Sequence, residues 1–329
     1  PTVCSPDPST GTCVAPFHNA NPVNVGGPHH SISATIDIDK GRMDGFVSAA
    51  QRGKSGCATL LDPACSAGSE DVMGYHDGTE LPNYWSYASN YVLEDHMFEP
   101  NSSWSLPAHL FLVSEWSARC SVRDDPMSCV SELDRPDPPP YAGFGSNTGK
   151  RDPSYAWTDV TSLLYHRAVS WSYYVFPGTE PDCENDAASC APVQQSVTTP
   201  GIWNPLPWFT TVQQDEQVGN VKSTAEFFTD AASGNLPNVA WLAPSHEVSE
   251  HPPASIQTGQ AYVTSVINTI MQSPEWSSTA IFVAWDDWGG FYDHVVPPNV
   301  DASGYGLRVP ALVIGPYVRQ DFIDHQVLS

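Results

Sequence analysis

The segment "TAIFVAWDDWGG", residues 279–290, carries an apolar run straight into Asp286 and Asp287, followed by Trp288 and two glycines. Two carboxylates this close raise each other's pKa unless a cation is present, and a divalent metal removes the conflict. Strand alternation would send the two side chains to opposite faces, but Gly289 and Gly290 permit a turn that aims both at one point. The apolar run reads as a buried strand, and in open α/β sheets ligands bind outside the carboxyl ends of the strands. Asp286 and Asp287 are therefore candidate metal ligands.

The elements that must hold them alternate between helix-like and strand-like segments. "LPNYWSYASNY" reads as a short helix leading to "VLEDHMF", and "DVTSLLYHRAVSWSYYVF" as a helix followed by a strand. A helix around 222–233, the strand "NVAWLAP" and a loop carrying "SEHPP" come next. The clearest helix is "TGQAYVTSVINTIMQSP", where Val263, Val266, Ile267, Ile270 and Met271 mark one face and Pro274 follows the end. The strands "TAIFVAW" and "VPALVIG" close the series. This order predicts parallel α/β construction. Residues 1–80 and roughly 178–210, rich in Gly, Pro and Ser, read as loop excursions, and no internal repeat is visible.

With 37 acidic against 13 basic residues the net charge is −24. Such a field repels phosphate backbones, which argues against a nucleic-acid partner, and it opposes docking on an anionic bilayer. No stretch reaches the roughly 20 apolar residues of a transmembrane helix, so no transmembrane segment is expected. Eight cysteines fall in four close pairs, Cys4 with Cys13, Cys57 with Cys65, Cys120 with Cys129 and Cys183 with Cys190. None has C-x-x-C spacing, and the polar sequence between partners favours four local disulfides, each contributing ~2–3 kcal/mol by the chain-entropy account. Staples of this kind predict an oxidising compartment: secreted, cell-surface or periplasmic.

"STAIFVAWDDWGGFYDHVVPP", "YGLRVPALVIGPYV", "VSEHPP", "GRMDGF" and "MGYHDGTELPNYWSYASNYVLEDHMFEPNSSWSLPAHLFLVSEWS" occur in one order along nearly the whole chain. Together they resemble the bacterial phosphoesterase family that includes the non-haemolytic phospholipases C and related secreted acid phosphatases, within the alkaline-phosphatase-like superfamily. The resemblance implies a three-layer α/β sandwich around a mostly parallel sheet. It also implies a hydroxyl nucleophile, assisted by one divalent metal ion, that attacks phosphorus and forms a covalent phospho-enzyme.

Carried over to this chain, the resemblance makes Asp286 and Asp287 metal ligands. It places Ser105 of "NSSWSLPAH" as nucleophile and further ligand, with Ser102 and Ser103 as minor alternatives. Ser103 and Trp104 stand where the family carries Gly-Pro, and Ala108 and His109 where it carries Asn-Arg. His30 of "GPHHS" and His251 of "SEHPP" correspond to phosphate-facing histidines, and His294 of "YDHV" to an accompanying one. His29, His76, His96 and His109 receive no functional role. The family's N-terminal strand ending in Glu-Asn has no counterpart in residues 1–30, and its C-terminal helix none after "DHQVLS". The chain thus reads as a single phosphoesterase domain over 1–329 that lacks both.

The function expected is a secreted phosphoric ester hydrolase of phospholipase C type. The alternatives are an acid phosphatase of broad specificity or a catalytically inactive relative that binds phosphoesters. Aromatic residues near the proposed site suit a choline-like cation, so phosphatidylcholine or another phospholipid head group fits as substrate.

Overall fold

The computed structural model describes residues 3–53, 68–136, 155–183, 186–187, 190–198 and 200–329. Its main helices and strands in chain order are α1 (Ser31–Ile38), α2 (Phe46–Gly53), α3 (Pro82–Asn90), β1 (Val92–Glu94), α4 (Ser105–Ser114), α5 (Val160–His166) and β2 (Trp171–Val175). They continue with β3 (Val221–Ser223), α6 (Thr224–Ser233), β4 (Val239–Ala243), α7 (Ile256–Gln272), β5 (Ile281–Ala284), β6 (Ala311–Ile314) and β7 (Phe322–Asp324).

The α/β class with parallel pairing is what the chain adopts. Three strands lie in the order β3-β2-β4, all parallel, and four in the order β5-β6-β1-β7. In the second sheet β7 runs parallel to β1, whereas β6 runs against both β5 and β1. These seven strands therefore divide between two sheets, and the other sheets among the described residues are two-stranded.

All five residues of β2 are buried, as expected for a strand covered on both faces. Pleating sends Trp171, Tyr173 and Val175 one way, onto Leu106, Leu110 and Val113 of α4 and an aromatic cluster containing Tyr155, Trp157 and Phe209. Tyr174 points the other way, onto Phe227 of α6 and Val266 and Ile270 of α7. Helix, sheet and helix thus form three layers here. The apolar stripe of α7 is shared: Val266 and Ile270 serve this sheet, while Val263, Ile267 and Met271 pack with Leu312 and Ile314 of β6.

Residues 3–53 and 68–80 carry more regular structure than their composition suggests. α1 is rich in β-branched residues and its N-cap, His30, makes no side-chain capping bond, so little in the local sequence announces a helix. Burial holds it instead: Ala34 of α1 and Phe46, Val47 and Ala50 of α2 form a core with Met73, Trp288 and Leu307. Three of the expected disulfides, Cys4–Cys13, Cys120–Cys129 and Cys183–Cys190, are present. The fourth pair, Cys57 and Cys65, lies outside the described residues.

Candidate active site

Ser105 is the first residue of α4, fully buried, and its Oγ donates a hydrogen bond to Asp287 Oδ2 at 3.0 Å. One helical turn later His109 brings Nε2 to 3.4 Å from Asp286 Oδ2. Residues i and i+4 of a helix share a face, so α4 presents a hydroxyl and an imidazole side by side to the two consecutive carboxylates. The positive end of the helix dipole adds to the attraction for an anion at this spot. Behind His109, the Tyr173 hydroxyl lies 3.5 Å from Nδ1 and donates to the Trp203 carbonyl at 2.6 Å.

The carboxylates are held by a turn that only glycine can complete. Gly289 N–H donates to Asp287 Oδ1 at 2.7 Å, and the Trp288 indole N–H donates to the buried Asp37 of α1 at 3.0 Å. Gly290 adopts φ +75°, and a Cβ there would lie 2.5 Å from Gly27 Cα. The "GGPHH" turn consequently packs backbone to backbone on the "DDWGG" turn, with Gly27 N–H donating to the Gly289 carbonyl at 2.9 Å. This contact brings His29 beside Asp287. His29 Nδ1–H donates to the Gly27 carbonyl at 2.9 Å, which leaves Nε2 3.8 Å from Asp287 and 3.4 Å from Asp182.

Asp182 precedes Cys183 of the Cys183–Cys190 disulfide, and His251 completes the cluster. One ligand atom from each of His29, Asp182 and His251 lies within 4.8 Å of the others. His251 Nδ1–H is used on the Pro252 carbonyl at 2.8 Å, so Nε2 is the atom left to act. His29 Nε2, His251 Nε2, Asp182 Oδ2 and Asp286 Oδ2 are all buried without a hydrogen-bond partner.

Electrostatics in this cluster are unbalanced toward negative charge. Burial opposes a charged His29, but the Asp287 and Asp182 carboxylates outweigh it and raise its pKa. Burial likewise pushes Asp182 up, and the charge on His29 more than reverses that push, keeping the carboxyl below its usual range. Asp287 moves upward through burial, with the charges of Asp286 and Asp182 adding to the effect against His29. Asp286 is lowered despite burial, because His109 is next to it. His251 is lowered by burial. Glu99, fully buried, is raised well above the ordinary value by burial and then by Asp287 and Asp286; its Oε2 has no partner. Buried acids at this density, with orphaned oxygens, fit a divalent cation. Asp286, Asp287 and Ser105 are the residues that would hold it, with Glu99 close enough to feel the same charges.

Residues 10–329 match the Phosphoesterase family. The chain belongs to it. Phospholipase C A of Mycobacterium tuberculosis is 33% identical over 295 residues, covering 77% of this chain and 50% of that protein. Non-hemolytic phospholipase C of Pseudomonas aeruginosa is 24% identical over 346 residues, covering 92% of this chain and 44% of that protein. This phosphoesterase thus spans about half the length of the curated relatives it matches. Among solved structures, a protein in the alkaline phosphatase superfamily from Vibrio parahaemolyticus aligns with TM-score 0.40 at 11% identity, over 74% of this chain and 56% of the other.

Within this phosphoesterase, the structure brings Ser105, Asp286, Asp287 and His251 of the sequence-derived set to one place. His30 is turned aside. Its Nε2–H donates to the Cys183 carbonyl at 2.9 Å, its ring stacks on Trp104 at 4.7 Å, and burial lowers its pKa to about 4. The preceding residue, His29, occupies the position beside Asp287, because α1 begins immediately after His30 and consecutive side chains there diverge. The His294 side chain is 68% exposed, and its Nδ1 lies 3.8 Å from the neighbouring Asp293. Ser102 and Ser103 are engaged elsewhere, donating to the carbonyls of Tyr305 and Leu133. His29, His109, Asp182 and Glu99 were not singled out as site residues by sequence. For His109 the spacing of four from Ser105 becomes a signal only once α4 is known to be a helix; for Asp182, just before a cystine loop, there was none.

Proposed function

We propose that this phosphoesterase is a secreted, metal-dependent phosphoric ester hydrolase of phospholipase C type, with Ser105 as nucleophile and a phosphoserine intermediate. The observation that carries the reading is the hydrogen bond from buried Ser105 Oγ to Asp287 at the N-terminus of α4. When bound by Asp286, Asp287 and Ser105, one divalent ion would lower the pKa of the serine hydroxyl and offset charge growing on the phosphoryl oxygens.

The chain's own groups account for the remaining steps. Ser105 Oγ releases its proton along the hydrogen bond to Asp287 and attacks phosphorus as the bond to the leaving alcohol breaks, and the alcohol oxygen takes a proton. His29, whose imidazolium is favoured by its two carboxylate neighbours, holds such a proton on Nε2. His109 and His251 border the same space: His109 Nε2–H can donate to a phosphoryl oxygen, while neutral His251, its Nδ1–H held by the Pro252 carbonyl, turns an Nε2 lone pair toward it. Water then attacks the phosphoserine and restores Ser105. A phospholipid head group such as phosphocholine is the substrate class favoured by the relatives and by Trp203, whose ring lies near His251 and His109. Three disulfides support an oxidising destination.

The test is hydrolysis of p-nitrophenyl phosphate and p-nitrophenylphosphorylcholine from mildly acidic to neutral pH, with and without a chelator, beside Ser105→Ala. Activity on the diester that is lost in chelator and in the variant is the expected result. Preference for the monoester would make the protein an acid phosphatase. Folded protein that binds a phosphoester but turns over neither substrate would make it an inactive relative.

A further inference from the structure

A second group of metal-ligating side chains lies outside the cluster around Ser105. β1 and β7 are parallel neighbours in register, Glu94 opposite Asp324, so Asp95 and His325 leave the sheet together at the carboxyl ends of the two strands. Asp95 Oδ1 lies 2.8 Å from His96 Nδ1, and Asp95 Oδ2 lies 2.8 Å from His325 Nδ1. One donor atom from each of the three residues lies within 4.8 Å of the others, and the two imidazole rings stand nearly perpendicular at 6.2 Å.

We propose that Asp95, His96 and His325 form a structural binding site for a divalent first-row transition metal, independent of the site holding Ser105. Two neutral imidazoles and one carboxylate make a donor set suited to Zn²⁺, Co²⁺ or Ni²⁺ and poorly suited to Mg²⁺ or Ca²⁺. Both imidazoles turn the same nitrogen, Nδ1, to the carboxylate, so loss of the Nδ1 protons creates two lone pairs converging on one region, with Nε2–H directed away.

The backbone already fixes the three donors. Asp95 N–H donates to the Asp324 carbonyl at 3.2 Å, and Leu328 N–H donates to the His96 carbonyl at 3.1 Å. Arg308 donates to the Asp95 carbonyl at 2.9 Å and is itself held by both oxygens of Asp293, so its charge is already compensated. Glu94 and Asp324 add negative charge beside the site. Solvent reaches it freely, since His325 is 71% exposed, and water can fill the remaining coordination positions. A metal here ties the last described strand, β7, to β1 at the edge of the four-stranded sheet.

The experiment titrates the whole chain with Zn²⁺ alone by calorimetry, and with Co²⁺ by visible absorption. The comparison is wild type, His96→Ala, His325→Ala, Asp95→Asn, Asp286→Asn and the surface control His166→Ala. Beyond any Zn²⁺ held at Asp286 and Asp287, the expected result is one Zn²⁺ whose affinity falls at least about tenfold in each of the first three variants and is retained in Asp286→Asn and His166→Ala. The Co²⁺ bands of this site should disappear with the same three variants. Hydrolysis of p-nitrophenylphosphorylcholine should be unaffected by His325→Ala, which separates this site from the one holding Ser105. Zn²⁺ binding that withstands both Asp286→Asn and the histidine substitutions, or no Zn²⁺ binding beyond that removed by Asp286→Asn, overturns the proposal. A hydrogen-bonded clasp without metal affinity gives the latter result.

Discussion

Ser105 and His109 stand one helical turn apart on α4 and meet two consecutive carboxylates, Ser105 at 3.0 Å from Asp287 and His109 at 3.4 Å from Asp286. The pairing makes a helix face, rather than a loop, the support for the candidate nucleophile, and rigid elements hold reacting groups more tightly than loops do.

His109→Ala is expected to lower kcat for a p-nitrophenyl ester by about 10²-fold or more, as loss of a donor to a developing oxyanion does. His29→Ala should fall with it. His30→Ala should cost stability through its lost stack and hydrogen bond before it costs turnover, and exposed His294→Ala should leave kcat and KM as they are. Steady-state kinetics on the four variants, with thermal melts beside them, check the assignment. Loss of turnover in His294→Ala with His109→Ala unaffected would reverse it.

Metal removal should be visible without any substrate. Asp286 and Asp287 repel each other in the metal-free protein, so Asp287→Asn should melt no lower than wild type in chelator, because a buried carboxylate disfavoured by its surroundings has been neutralised. The same variant should lose the rise in Tm that a divalent ion produces in wild type. Melting curves with and without added ion, together with metal content by mass spectrometry, provide the comparison. An ion-induced rise preserved in Asp287→Asn would remove that residue from the ligand set.

Glu250 supplies a pH-dependent contribution to stability. Burial pushes its pKa from an ordinary 4.5 up to about 7, while the Tyr84 hydroxyl donates to it at 2.7 Å. The folded state therefore binds a proton that the unfolded state has already released between about pH 4.5 and 7, and stability falls as pH rises through that window, levelling off above it. The full effect is at most about 3 kcal/mol. Glu250→Gln should flatten this part of the profile, read as urea midpoints from pH 4.5 to 8. A slope unchanged by the substitution would show that Glu250 does not titrate there.

Gly290→Ala should both strain the backbone and push the two turns apart, since a Cβ would meet Gly27 at 2.5 Å in addition to the unfavourable φ of +75°. We expect a loss of about 2 kcal/mol or more. Gly11→Ala is the control: Gly11 has φ +69°, but no atom lies within 4 Å of its added Cβ, so only the backbone cost of about 1 kcal/mol applies. Equal losses at the two positions would mean the close approach to Gly27 carries no weight.

Much of this arrangement was legible in the chain. An apolar run ending in Asp286 and Asp287 identified a strand end with a ligand-like carboxylate pair, and the stripe from Val263 to Met271 identified α7 because that helix has one dry face. α4 escaped for the opposite reason: Leu106, Ala108, Leu110 and Val113 are buried along with Ser105 and His109, so no polar face breaks the run into a helical period. Without that helix, the spacing of His109 from Ser105 carries no meaning. His29 and His30 are adjacent in sequence and part only in space, where one hydrogen bond to the Cys183 carbonyl claims His30. α1 and α2 depend on burial against Trp288, a contact spanning most of the chain that no local pattern reveals.

The backbone contact between Gly27 and Gly290 also bears on how the protein matures. It joins segments near the two ends of the described chain, and Ser105 must reach Asp287 across 182 positions as well. Closing loops of that length is entropically slow, and contacts of high sequence separation form late in folding. The residues of the candidate site therefore converge only when the whole fold has closed, and a partly folded chain still holds Ser105 far from Asp286 and Asp287.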